Sequence, residues 1–184
     1  AKSTAFIWSL DPFNGQLSGG KTQFSPHCRE YHCLTFSPDN EWLYLGSSSG
    51  DVSIVQVKTN CLVATMKPDV MHGLPTGSVY QSFGSVNVVV LTRGGRIMIG
   101  GGKGVLVSMC NDGRKYVTEQ KIQLQGGINS MTQLPDGGNL LVGTSAGNIY
   151  LVSCQGRFRY QIISENTTGP IAALDLPLHD SSQF

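Results

Sequence analysis

Apolar and polar positions alternate along Tyr31-His32-Cys33-Leu34-Thr35-Phe36, and the run stops at Ser37-Pro38-Asp39-Asn40. A period of two marks a half-buried strand, and Pro followed by Asp and Asn makes a short turn. Residues 41–45 then predict a second strand and residues 46–50 a hairpin. Asp51-Val52-Ser53-Ile54-Val55-Gln56-Val57 supplies a third strand and Cys61-Leu62-Val63-Ala64-Thr65-Met66 a fourth. The same order recurs twice. It runs through strands at 86–91, 96–99, 105–109 and 116–124, then at 128–134, 139–142, 148–153 and 158–163.

Three hairpins align across these units without a gap: Leu43-Tyr44-Leu45-Gly46-Ser47-Ser48-Ser49-Gly50, Ile97-Met98-Ile99-Gly100-Gly101-Gly102-Lys103-Gly104 and Leu141-Val142-Gly143-Thr144-Ser145-Ala146-Gly147. The intervals are 54 residues from Gly46 to Gly100 and 43 from Gly100 to Gly143. A four-stranded unit with a period of roughly 40–45 residues is a WD40 β-propeller blade, which buries its faces only by stacking on further blades. The repeated glycines read as turn residues. The fold class is therefore all-β: WD40-type blades of four antiparallel strands, an incomplete arc of about three full blades and two partial ones from a larger propeller protein.

The whole chain, 1–184, reads as one partial propeller: 1–30 the end of one blade and a linker, 31–66 a blade, 67–85 an inserted loop, 86–124 a blade, 128–163 a blade, and 170–184 the start of the next. At the left edge, residues 4–10 fit the third strand of an earlier blade, with Trp8-Ser9 in the Trp-Asp slot. At the right edge, residues 170–177 resemble a first strand. Propellers typically close with 4–8 blades, so this arc predicts a piece of a longer chain. The inserted loop, marked by Pro68, Gly73, Pro75, Gly77 and Gly84, is either a solvated excursion or a binding loop.

Composition agrees with short strands and tight turns. Charged residues make up 14% against a typical ~25%, and Gly contributes 23 of the 184 residues. No apolar run reaches the ~18 residues of a membrane span, and the opening Ala-Lys-Ser-Thr has no basic-then-apolar leader pattern. Five scattered cysteines (Cys28, Cys33, Cys61, Cys110, Cys154) read as reduced thiols of the cytoplasm. A net charge of +1 argues against bulk attraction to nucleic acid or anionic membrane. Its distribution is uneven, however. Residues 86–124 carry six basic and two acidic groups.

Candidate chemistry is sparse. Gly102-Lys103-Gly104 lacks the first glycine of a phosphate loop, where Ile97 stands, and the hydroxyl that would bind Mg²⁺, where Gly104 stands. It reads as a hairpin turn. His27-Cys28 and His32-Cys33 offer ligand atoms, but adjacent strand residues point to opposite faces and cannot grip one metal. No nucleophile elbow is present. The expectation is no catalytic residue, no metal and no cofactor. Trp8, Phe36, Trp42, Tyr44 and Tyr150 sit at strand positions suited to blade packing. The one concentration of charge arises from topology. First-to-second and third-to-fourth strand turns emerge on one face, which gathers Arg93, Arg96, Arg114, Lys115 and Arg157 as candidate partner-binding residues, partly offset by Asp112 and Asp136.

Lys121-Ile122-Gln123-Leu124-Gln125-Gly126-Gly127-Ile128, followed by Leu141-Val142-Gly143-Thr144 and Ile149-Tyr150-Leu151-Val152-Ser153, resembles a signature stretch of the cilia- and flagella-associated protein fifty-two family. Tyr44-Leu45-Gly46 with Ser49-Gly50-Asp51, and residues 100–106, are similar to its two preceding blades. The resemblance covers residues 31–153. It implies two tandem propellers without catalytic residues, resident inside the doublet microtubules of motile cilia and flagella, hence a place in the cytoskeleton at the axoneme. The implied partners are tubulin, which is acidic, and inner-junction proteins such as the parkin co-regulated protein and enkurin. A centriolar wall relative with similar propellers is the second resemblance, and a general WD40 interaction module the other functional alternative. Val55-Gln56 and Val152-Ser153 replace the usual Trp-Asp, and the Gly-His pair of ordinary repeats is missing, which predicts weakened hydrogen-bond networks in the blades.

Overall fold

A computed structural model describes residues 5–24, 29–68, 83–165 and 167–176. Its described residues form only strands, turns and coil. The first pair is β1 (Phe6–Leu10) and β2 (Leu17–Lys21). Three four-stranded antiparallel sheets follow, each a hairpin meander in chain order. The first blade is β3 (Tyr31–Phe36), β4 (Trp42–Ser47), β5 (Val52–Gln56) and β6 (Cys61–Met66). The second is β7 (Val86–Leu91), β8 (Ile97–Gly101), β9 (Val105–Asn111) and β10 (Tyr116–Gln123). The third is β11 (Ile128–Gln133), β12 (Asn139–Thr144), β13 (Ile149–Ser153) and β14 (Arg159–Ser164). These strands lie where the alternation and turn residues predict them.

Successive blades meet through their first strands, β3 on β7 and β7 on β11, which are therefore the inner strands of the arc. The core is divided by blade interface. Tyr44, Ile54 and Met66 of the first blade pack against Val89, Ile99 and Met109 of the second. On the other side of the second blade, Met98 and Leu106 pack with Ile128, Leu140 and Val152 of the third. Both faces of the second blade are thus sealed, and residues such as Ile99, Val107 and Leu106 are wholly buried.

Each inner strand carries a bulge at the same place, between Tyr31 and Cys33, Val86 and Val88, and Ile128 and Ser130. Just before it, a carbonyl accepts from the middle hairpin of the same blade: Ser48 N–H to Glu30, Gly102 N–H to Ser85 and Ser145 N–H to Gly127, each at 2.8 Å. The sequence repeat is therefore also a hydrogen-bond repeat.

The glycine ruler has a different cause from the one expected. Gly46, Gly100 and Gly143 lie within β4, β8 and β12 rather than in turns. Each faces the first residue of the next blade: a Cβ would collide with Val86, Ile128 and Ile171 respectively. Gly50, Gly104 and Gly147 are true turn residues with φ of +81°, +81° and +79°, and they also abut the backbone that feeds the next blade. The first glycine of each pair makes room between blades, and the second makes the turn.

Two edge expectations are corrected. Residues 170–176 form no strand, because among the described residues no second strand stands beside them to supply a ladder. Even so, the Ile171 N–H donates to the Thr144 carbonyl at 3.0 Å, and Ile171 covers Gly143 as Val86 covers Gly46. At the other edge, Trp8 and Phe36 are 60% and 41% exposed rather than core, because no described strand packs on that side of β1 or β3. Tyr44 and Tyr150 are buried as expected. Most of the insertion (69–82), His27, Cys28 and Pro177 lie outside the described residues.

Candidate functional site

The antiparallel meander places the β7–β8, β9–β10 and β13–β14 turns on one face, here called the lower face. Arg93 and Arg96 belong to the first of these turns, Arg114 and Lys115 to the second and Arg157 to the third. Their roles differ. The Arg93 guanidinium donates to the Pro135 carbonyl at 3.0 Å, and its backbone N–H to Gln133 Oε1 at 3.1 Å. Arg96 Nε donates to Glu119 Oε2 at 2.8 Å, and its Nη1 to the Cys154 carbonyl at 3.1 Å. Both arginines therefore tie the second blade to the third.

Arg114 and Lys115 sit in a turn organised by Asp112, whose Oδ1 accepts their backbone N–H groups at 2.9 and 2.8 Å. Those hydrogen bonds, from Lys115 and then Arg114, hold the Asp112 carboxyl below its ordinary value. Asp136 plays the same part in the third blade. It is held low first by the Asn139 side chain, which donates to Oδ2 at 2.6 Å. Arg157 is exposed at the tip of the β13–β14 turn. Gln120 of β10 grips that turn at its backbone, bonding the Gly156 carbonyl and the Phe158 N–H. Asp112 and Asp136 thus shape turns while keeping their negative charge, and of the five candidate cations Arg114, Lys115 and Arg157 are the ones whose exposed side chains do not bridge the second and third blades as Arg93 and Arg96 do.

A groove of 1190 Å³ opens between the outer parts of the first two blades. Sequence reasoning missed it, because its walls come from strands about 50 residues apart. Trp42, Tyr44 and Met66 line it from the first blade, with Met109 and Tyr116 from the second. Arg114 and Lys115 line it too, joined by Arg29 and Lys67, which were not among the candidates. The only advance signal was the position of Lys67 at the root of the insertion.

On the opposite face, the expected loss of blade networks is made good by other residues. Arg29 Nε donates to both Asp51 oxygens at 3.0 and 2.8 Å, and the Ser47 hydroxyl bonds the same carboxylate. Tyr31 Oη donates to Ser53 Oγ at 3.0 Å below it. In the third blade Asn148 stands where Asp51 does, and its Nδ2 donates to Gln125 Oε1 and Tyr150 Oη at 3.3 Å. In the second blade the place is taken by buried Val105. Gly102-Lys103-Gly104 closes the β8–β9 turn through Gly104 N–H to the Gly101 carbonyl at 3.0 Å.

No protein-family model matches the chain. In overall fold it is similar to a chain of a crystal structure of the mitotic checkpoint complex, with a TM-score of 0.63 over 83% of this chain and 43% of that one. The sequence identity there is 13%, so the likeness speaks for a WD40 propeller fold alone. In sequence, the chain is 31% identical over 151 residues to cilia- and flagella-associated protein 52 of Homo sapiens. It is 29% identical over 151 residues to the proteins of the same name from Bos taurus and Mus musculus. Each match covers 82% of this chain and 22% of the relative, so the chain spans about a fifth of their length. Over those 151 residues, three stacked blades with their hairpin glycines, this chain belongs to the family of cilia- and flagella-associated protein 52.

Proposed function

We propose that this chain is part of a non-enzymatic structural scaffold of motile cilia and flagella, docking on tubulin inside axonemal doublet microtubules and stabilising them with neighbouring inner proteins. The observation that carries the reading is the 31% identity, over 82% of the chain, to a cilia- and flagella-associated relative. The lower face supplies the docking chemistry: Arg114, Lys115 and Arg157 meet an acidic wall, and such complementarity fixes orientation and register more than affinity. Arg93 and Arg96 contribute by holding the second and third blades together. The parkin co-regulated protein and enkurin are the neighbours that the family resemblance implies, and no cofactor, nucleic acid or membrane enters this reading.

The test is retention of the tagged full-length protein in axonemes of ciliated cells after mild detergent. Retention is expected, with loss on combined Arg114→Glu, Lys115→Glu and Arg157→Glu exchange. A diffuse, detergent-extracted protein sinks the scaffold. Unchanged retention of a folded triple variant removes the cationic face from it.

A further inference from the structure

The groove between the first two blades combines an apolar, aromatic floor with charge of one sign. Arg29, Lys67, Arg114 and Lys115 stand around Trp42, Tyr44 and Tyr116, and its described lining residues include no Asp or Glu. Low-dielectric walls bearing one sign of charge focus the field into a cleft and favour an oppositely charged guest. The cations are also ordered along the groove. Lys67 follows Met66, which pairs with Val52 at the end held by Arg29 and Asp51. Arg114 and Lys115 occupy the β9–β10 turn at the opposite end. Between the two ends runs β6, the outer strand of its blade, about 15–20 Å long at ~3.3 Å per residue.

The charges are unequal. Arg29 is already paired with Asp51 at 2.8 Å, so one end rests chiefly on Lys67. At the other end Asp112 draws on Lys115, but it is held in its own turn by backbone N–H groups and does not line the groove. Asp39 of the β3–β4 turn also acts on Tyr44, but like Asp112 it does not line the groove, and the described charged side chains that do are all cations.

We infer that this groove binds an extended acidic peptide segment of a partner protein. Carboxylates about five residues apart meet Lys67 at one end and Arg114 with Lys115 at the other, and an apolar or aromatic residue between them rests on Trp42, Tyr44 and Tyr116. The site shares Arg114 and Lys115 with the lower face but does not depend on the ciliary reading. It asks for a flexible segment, where docking on a microtubule wall asks for a surface.

The test uses the full-length protein and a fluorescein-labelled peptide of about twelve residues, with paired glutamates near each end and Leu and Phe between them. A counterpart carries lysines in place of the glutamates. Fluorescence anisotropy is expected to show saturable binding of the acidic peptide that weakens as ionic strength rises, and none of the basic one. Arg114→Glu with Lys115→Glu is expected to weaken binding at least about tenfold, and Lys67→Gln by a smaller factor. Arg159→Glu, on the exposed outer strand of the third blade, is expected to leave it unchanged. Should the double exchange disturb folding, as read by circular dichroism, Arg114→Gln with Lys115→Gln gives the same comparison. Equal binding of the basic peptide, no binding of the acidic one, or affinity indifferent to Lys67, Arg114 and Lys115 overturns the inference. Axonemal retention of the same variants separates the two readings. Peptide binding lost while retention persists upholds the groove and removes these cations from microtubule docking.

Discussion

Gly46 and Val86 interlock: the bare Cα of a second-strand glycine receives the first side chain of the following blade, so tightly that a Cβ on Gly46 would collide with Val86 Cγ1. The same pairing joins Gly100 to Ile128 and Gly143 to Ile171. It is the unit by which one blade sets the position of the next, because interiors packed to crystal density leave no slack for an added methyl.

The size match predicts a reciprocal pair of effects. At Gly100 a Cβ would lie 2.6 Å from Ile128 Cγ2 and 2.7 Å from Val88 Cγ1. Gly100→Ala should therefore destabilise by about 1–3 kcal/mol through overpacking. Ile128→Ala alone should cost about 2–5 kcal/mol through the cavity it leaves. The double variant should lose clearly less than the sum, since each change relieves the other. Thermal unfolding of the full-length protein reads this, and strict additivity would refute the interlock.

A second prediction concerns the upper face of the first blade. Asp51 is 5% exposed and holds Arg29, the Ser47 hydroxyl and the turn together. Asp51→Ala strands a guanidinium only 18% exposed, and breaking such a pair costs about 3–5 kcal/mol. Arg29→Leu should cost less, since the Asp51 carboxylate keeps the Ser47 hydroxyl as a donor, and that hydroxyl oxygen still accepts from the Asp51 backbone N–H. If Arg29→Leu proves the worse of the two, the carboxylate is not the organising group.

Strand positions, turns and blade count were legible because alternation and Pro, Asp and Gly punctuation are local signals. The role of Gly46 was not, since the reason for it is Val86, 40 residues away on another blade. Arg29 escaped notice for a similar cause: in sequence it is one cation in a linker, and only folding brings it to Asp51. Topology placed Arg93 and Arg96 on the lower face, but it could not reveal that Pro135, Glu119 and Cys154 of neighbouring strands and turns already engage them. Trp8 read as core because the pattern assumes a further blade packed on its face, and among the described residues β1 pairs only with β2, which leaves Trp8 60% exposed.

The lower-face cations should also separate by stability. Arg96 bonds Glu119 across partly exposed surface, with side-chain exposures of 39% and 29%, and such pairs contribute about 0–1 kcal/mol. Its further bond to the Cys154 carbonyl reaches the third blade. Arg96→Ala should therefore lower stability modestly, by about 0.5–2 kcal/mol, whereas Arg114→Ala and Lys115→Ala, whose backbone N–H groups keep the Asp112 turn intact, should leave it unchanged. A destabilised Arg114→Ala protein would mean that its side chain is structural rather than available to a partner.

The thiols give a pH dependence with a definite sign. Burial pushes Cys33 and Cys154 from an ordinary value of 9.0 up to about 11, opposed in Cys33 by backbone hydrogen bonds at Gly46 and Val89 and in Cys154 by the nearby Arg96. The native state thus holds these protons more tightly than the unfolded chain does. Their contribution to stability is complete below about pH 9, declines as the pH rises beyond it, and is gone once the pH has passed about 11. The thermal midpoint should fall through that window, and replacing both residues with alanine should flatten the fall while lowering the plateau. Burial together with neighbouring Tyr116 also raises Tyr44, so a residual decline at still higher pH should survive the double replacement. The neutral thiols should in addition resist alkylation by iodoacetamide at pH 8 in the folded protein, labelling more slowly than Cys61 on the outer strand. Equal labelling rates for Cys33, Cys154 and Cys61, or a pH profile indifferent to the alanine replacements, would show that the blade interfaces do not seal these two side chains from water.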